Sequence, residues 1–254
     1  MEEWLKKIET DHHIDVLFAC EAGSRAWGYH SPESDRDIRY IYKYKELRDY
    51  LSIDDPSEVI DHSFPFDSQG WDVKKAFRLM RKSNPSLLEW SYSPIVYRNR
   101  DGFGNKLREI IKYGYSPYSL GKHYLNLAKR NLKDAEGNSN LAGRQKQVLY
   151  SLRSLMIIKG LSENQEISAQ LFPGCMKHSS DGTSPELAAY LKLVNARKNS
   201  SLLFPGEVEE VFELIHCLLN CLEETVEDFG TGKQMTELLN KWFWESLESQ
   251  GKDT

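Results

Sequence analysis

The residues best suited to chemistry lie in two short runs, Gly23-Ser24-Arg25-Ala26-Trp27-Gly28 and Ser34-Asp35-Arg36-Asp37-Ile38-Arg39. Ile38, Tyr40, Ile41 and Tyr42 predict a strand, and on a strand alternate side chains share a face, so Asp35, Asp37 and Arg39 are expected to project together. Two neighbouring carboxylates repel each other, and a cation between them relieves that repulsion. Mg2+ suits such a pair, because it takes carboxylate oxygens and completes its shell with water and substrate phosphate. A glycine lets the backbone approach a ligand closely, and a serine hydroxyl with the amides opening a helix can hold phosphates. The chemistry implied is that of a metal and a phosphate-bearing substrate.

These residues need a scaffold, and the first part of the chain supplies one. Trp4, Leu5 and Ile8 fit a short amphipathic helix, and Ile14-Asp15-Val16-Leu17-Phe18-Ala19-Cys20 reads as a buried strand leading to Gly23. Residues near Ser57 to Phe66 predict a third strand. Val73, Phe77 and Met80 have helical spacing over about Gly70 to Lys82. The Ser83-Asn84-Pro85 break opens another helix, with Asn84 as its cap, Leu87, Leu88 and Trp90 inward and Pro94 at its end. An α/β catalytic domain is therefore expected over residues 1–115. From Ser116 the pattern becomes helical, over Tyr118 to Ala135, Gln145 to Lys159, Pro185 to Arg197, Glu207 to Val226 and Lys233 to Leu247. Gly137-Asn138-Ser139-Asn140 and Phe172-Pro173-Gly174 read as linkers, and residues 116–254 are expected to form a helical bundle domain packed against the first.

The 254 residues suffice for one large or two modest domains, and 40% hydrophobic content is enough to bury a core. Met1 to Lys7 carry several charges, no run of about twenty apolar residues occurs, and a cytoplasmic protein without a membrane segment is expected. Cys20, Cys175, Cys217 and Cys221 lack paired zinc spacing and read as buried free thiols. The net charge of −5 argues against a broad nucleic-acid surface but leaves room for a local one. Lys74, Lys75, Arg78, Arg81 and Lys82 form the densest basic run, on one predicted helix, where they serve either as a solvated face or as a track for a phosphate backbone. His12-His13 reads as exposed.

Gly23-Ser24 followed by Asp35-Arg36-Asp37 resembles the signature of the DNA polymerase β-like nucleotidyltransferase superfamily. That resemblance implies an α+β fold, a small mixed sheet with helices followed by a helical bundle, and a third acid on a neighbouring strand that helps bind the catalytic metal. Asp67, at the end of the third predicted strand, leads here. Asp72 is the alternative, although an acid opening a helix is equally explained by the helix dipole, and Asp61 is a weaker choice. Within the superfamily, Gly70-Trp71-Asp72-Val73-Lys74-Lys75-Ala76, Lys82 to Trp90, Ser91 to Tyr97 and Lys146 to Arg153 are similar to the RlaP nucleotidyltransferases, whose name denotes association with RNA ligases.

The resemblance implies in-line attack by an acceptor on the α-phosphorus of an NTP, with pyrophosphate leaving. Asp35 and Asp37, with Asp67, would hold two Mg2+ ions, or Mn2+ in their place. Gly23 and Ser24 would hold the β and γ phosphates. Arg39 would either offset charge developing on the phosphates or balance Asp37. Lys146, Tyr150 and Arg153, at i, i+4 and i+7 on one helix face, would meet triphosphate and base, or form an ordinary charged face with Tyr150 half buried. An RNA end is the favoured acceptor, with a protein side chain or a small hydroxylated molecule as alternatives. A different class of reading is an antitoxin-like partner of a helical toxin, and a third is a nucleotide-binding regulator. The first predicts capture of a helical partner, and the second predicts NTP binding without pyrophosphate release.

Overall fold

The structure, a computed structural model, describes residues 1–164, 166–172 and 184–248. Its elements run α1 Glu2–His12, β1 Ile14–Glu21, α2 Gly23–Ala26, β2 Asp37–Tyr44, α3 Leu47–Tyr50, β3 Val59–His62, β4 Asp67–Asp72, α4 Val73–Arg81, α5 Pro85–Ser91 and β5 Val96–Asn99. Then follow α6 Phe103–Gly114, α7 Pro117–Glu136, α8 Leu141–Asn164, α9 Pro185–Lys198, α10 Pro205–Glu227 and α11 Thr236–Glu248. The fold is α+β, with a five-stranded mixed sheet in the order β3-β4-β2-β1-β5. Strand β2 lies at its centre, antiparallel to β1 and parallel to β4.

Among the described residues the chain forms two compact units, neither contiguous in sequence. One comprises Met1–Ala26, Asp35–Tyr115 and the described residues from Gly232 onward. The other comprises Trp27–Ser34 and the described residues of Ser116–Thr231. The last helix, α11, thus belongs with the sheet, because its Trp242 stacks on Phe77 of α4 at 4.5 Å and lies 4.7 Å from the Phe103 ring. In the sheet unit Ile14, Val16, Ile38, Tyr40 and Ile41 are fully buried. Replacing Ile41 by Ala removes three buried carbons from the central strand and is expected to lower unfolding stability by about 3 kcal/mol, read from the urea midpoint.

The helical unit centres on α8, whose Val148, Leu152, Leu155, Ile157, Ile158 and Leu161 are buried around its circumference. A helix apolar on all sides is an interior one, and α7, α9 and α10 each pack on it. Ser151 at the α7 contact donates to the Ala128 carbonyl at 3.0 Å, which satisfies a hydroxyl that burial would otherwise leave unpaired. Trp27–Ser34 joins this unit through ring contacts. Trp27 lies 4.8 Å from Phe172 and Tyr29 lies 5.9 Å from Tyr150, while the Tyr29 carbonyl accepts from Arg197.

Several expectations change. Gly70-Trp71-Asp72 is strand, and the helix starts at Val73, while the strand expected over Ser57 to Phe66 is the short hairpin arm Val59–His62. Cys20 is buried, but Cys217 and Cys221 are exposed, since the i,i+4 spacing sets both on the outer side of α10; Cys175, Pro173 and Gly174 lie outside the described residues. Asn84 caps α5 as expected, accepting from the Leu87 amide at 3.1 Å. No helix among the described residues is long and apolar enough to cross a membrane.

Candidate active site

The candidate site lies where β1 hands over to β2. After Glu21 the chain turns at Gly23, whose φ of +60° is a left-handed conformation that side chains disfavour. The Ala22 amide donates to the Asp37 carbonyl at 2.7 Å, so this turn and the first residue of β2 are locked together. A Cβ at residue 23 would stand 2.1 Å from Oδ2 of Asp37. Glycine is therefore required twice, for the backbone and for the carboxylate resting against it. Ser24, half-buried, is the second residue of the single turn α2.

Asp37 opens β2, Asp67 opens β4, and the two are paired in the parallel register of these strands. Arg39, two residues along β2, bridges them: its Nη2 donates to Asp37 Oδ1 and to Asp67 Oδ2, each at 3.1 Å, and its Nη1 donates to the Asp67 carbonyl at 3.1 Å. Burial pushes the Asp37 carboxyl above its ordinary range; Arg39 pulls it down, but Asp67 adds to the rise. For Asp67, burial also works upward, yet the hydrogen bond and charge of Arg39 outweigh it and hold the carboxyl below its ordinary range. Arg39 thus balances charge between two acids, one of the two roles expected of it.

The structure does not bring the other proposed acids to this pair. Asp35 is exposed and precedes the strand, because β2 begins only at Asp37; the shared strand face holds for Asp37 and Arg39 alone, and the Asp35 carbonyl accepts from Arg25. Asp72 ends β4, five residues from Asp67, a separation of about 16 Å along a strand. It is buried, caps α4 by accepting from the Lys74 amide at 2.8 Å, and accepts from the Tyr50 hydroxyl at 2.6 Å. Burial raises its carboxyl, against these hydrogen bonds. Asp61 is exposed on β3, opposite Gln69.

One residue of this centre escaped the sequence reading. Glu21, 2% exposed, accepts from the Asp37 amide at 2.9 Å through Oε1, while Oε2 accepts from the Tyr97 hydroxyl and lies 3.5 Å from Nε of Arg36. It anchors the start of β2 and so positions Asp37. An acid closing an otherwise apolar strand, just before a glycine turn, was the available signal.

In the helical unit, Lys146 is exposed with its ammonium 5.7 Å from the Tyr150 ring centre, and Tyr150 is half-buried. Arg153 is buried, its guanidinium 5.8 Å from the rings of both Trp27 and Tyr29. The face expected to present three ligand-binding side chains thus sends one of them inward.

Among the described residues no three His, Cys, Asp or Glu side chains gather to hold a metal. Two carboxylates at the same register position remain, and they fit Mg2+, which commonly takes one or two protein carboxylates and completes its octahedron with water and phosphate. They suit zinc less well, since its sites draw chiefly on Cys and His.

The glycine turn pressed on a strand-opening aspartate, with a second aspartate beside it on a parallel strand, stands in a chain of the nucleotidyltransferase-like, DNA polymerase β type. The chain belongs to the RlaP family, the RNA repair pathway DNA polymerase beta family, which matches residues 1–245. It is similar to the uncharacterized protein YcgL of Bacillus subtilis (strain 168), at 31% identity over 257 residues, covering 98% of this chain and 96% of that protein. Among solved structures it is similar to a nucleotidyltransferase-like protein from Exiguobacterium sibiricum 255-15, at 12% identity and a TM-score of 0.31, over 99% of this chain and 81% of that one.

Proposed function

We propose that the protein transfers an NMP from an NTP to an acceptor hydroxyl, an RNA end being the favoured acceptor, with Mg2+ or Mn2+ as cofactor and pyrophosphate as the leaving product. The observation that carries this reading is the in-register pairing of Asp37 and Asp67 against the Gly23 turn. When bound, a divalent ion there lowers the pKa of the attacking hydroxyl and neutralises charge on the phosphates. Asp37 and Asp67 would hold it through carboxylate oxygens. Glu21 keeps Asp37 in place through the backbone. Ser24 and the neighbouring amides would hold the terminal phosphates, and Arg39, released from the two acids once a cation takes its place, would turn its charge to the triphosphate. Asp35, exposed and two residues before Asp37, stands apart from the pair in this structure and would have to turn toward the ion to complete its acid set. Of the cations on α8, Lys146 is the exposed one.

The two candidates for the third acid separate by experiment. Asp67→Asn is expected to lower NMP transfer by about 10²-fold or more, while Asp72→Ala is expected to cost about 1 kcal/mol of stability through loss of the α4 cap and to retain transfer in the folded fraction. Labelled NMP incorporation measured beside a thermal melt decides between them, and equal activity in wild type and Asp67→Asn would remove Asp67 from the site.

A further inference from the structure

Helix α4 presents two unlike faces. Val73, Ala76, Phe77 and Met80 are buried, whereas Lys74, Arg78 and Arg81 recur at i, i+4 and i+7 on another face. That row borders a cavity of about 300 Å³ between α4 and α11, within the sheet unit, whose other wall includes Asn240, Phe243 and Trp244. On α11 Trp242 is 5% exposed and belongs to the core, yet Trp244, two residues on, is 60% exposed. An indole left in water beside a row of cations is poorly explained by folding, since burying it is favourable and nothing in the core needs it there.

The charge on this wall is one-sided. Asp55 pairs with Lys74, and Glu58 with Lys75 and Arg78, while Arg81 and Lys82 carry no ion pair among the described residues. Of the three cations lining the cavity, Lys74 and Arg78 are thus paired and Arg81 is not; counting Lys75 and the cap residue Lys82, the helix and its C-cap carry five cations against these two acids, in a chain whose net charge is −5. Lys74 to Arg81 spans about 10 Å of helix, which suits consecutive phosphates of a strand better than one compact triphosphate. A flat aromatic face beside a basic track is the combination that binds single strands, because every base offers a stacking surface. Acidic peptides would use the cations and leave the rings without a role.

We propose that the α4–α11 groove binds single-stranded RNA, a base stacking on Trp244 beside Phe243 and the flanking phosphates meeting Arg81, Arg78 and Lys74; that this strand is the acceptor rests on the transferase reading above. The test is the anisotropy of a fluorescein-labelled twelve-residue oligouridylate titrated with full-length protein, without NTP or metal, at several salt concentrations. Trp244→Ala is expected to weaken binding about tenfold. Arg81→Glu is expected to weaken it at least as much and to lower the slope of log affinity against log salt by about one phosphate's worth. Both positions are exposed, and circular dichroism with a melting curve establishes that each variant folds. Wild-type affinity in both folded variants, no binding by the wild type, or equal competition by an oligoglutamate peptide would each overturn the groove. The two readings fail separately: binding that depends on Trp244 and Arg81 in a protein that transfers no NMP upholds the groove and sinks the transferase, whereas transfer to another acceptor without oligouridylate binding does the reverse.

Discussion

Asp37→Asn is expected to reduce NMP transfer by about 10³-fold while leaving the fold intact, because it removes a charged oxygen ligand without changing shape. The stability half of this expectation follows from the site's own electrostatics. Burial lifts the Asp37 carboxyl above its ordinary range, so the folded protein holds this charge at a cost, and a neutral isostere relieves both desolvation and repulsion from Asp67. Against that stands the loss of one of the two carboxylate partners of Arg39, which keeps Asp67. The net change in unfolding free energy is expected to stay within about 1 kcal/mol. Initial rates with an α-labelled NTP, set beside a urea titration, measure both quantities. A large loss of stability would show Asp37 to be a structural residue.

Gly23→Ala is the second large effect. The added methyl would stand 2.1 Å from Asp37 Oδ2, and the φ of +60° is strained for any side chain, so the carboxylate or the turn has to move. A shift of about 1 Å in a group that must hold a metal is expected to cost about 10²-fold in rate, and the backbone strain about 1–3 kcal/mol in stability. Gly28 provides the comparison, with a φ of +73° and nothing within 4 Å of an added Cβ. Gly28→Ala is expected to lose stability of the same order and to keep transfer in the folded fraction, so the ratio of the two rates isolates the contact with Asp37. Equal rates in the two variants would mean that the approach of Gly23 to Asp37 has no functional weight.

The parts of the site that were legible in the sequence are those that one residue type can signal alone. A glycine next to serine marks a turn, and β2 announces itself through the buried residues Ile38, Tyr40 and Ile41. Strand β4 does not, because Asp67-Ser68-Gln69-Gly70-Trp71-Asp72 has little apolar content and owes its conformation to neighbours on both sides, β2 and β3. Gly70 shows why: a Cβ there would stand 2.1 Å from the Tyr40 ring, so the glycine that looks like a break is the place where an aromatic packs over the strand. With β4 unseen, the sequence favours Asp67 over Asp72 only as the end of the third predicted strand, whereas the two lie at opposite ends of β4. Asp35 was misplaced because alternation was extended two residues beyond the start of β2. The helices of the second half were visible from their spacing, but the return of α11 to the sheet depends on Trp242 meeting Phe77 and Phe103, contacts that no periodicity encodes.

The most direct measurement is transfer itself. Full-length protein is incubated with each α-labelled NTP, Mg2+ or Mn2+, and total RNA, with Asp37→Asn in parallel, and labelled RNA and released pyrophosphate are quantified together. Label in the RNA fraction with matching pyrophosphate, lost on chelation and in Asp37→Asn, is the predicted result. No label in any acceptor, or equal label in wild type and Asp37→Asn, would contradict a nucleotidyl transfer site built on Asp37 and Asp67.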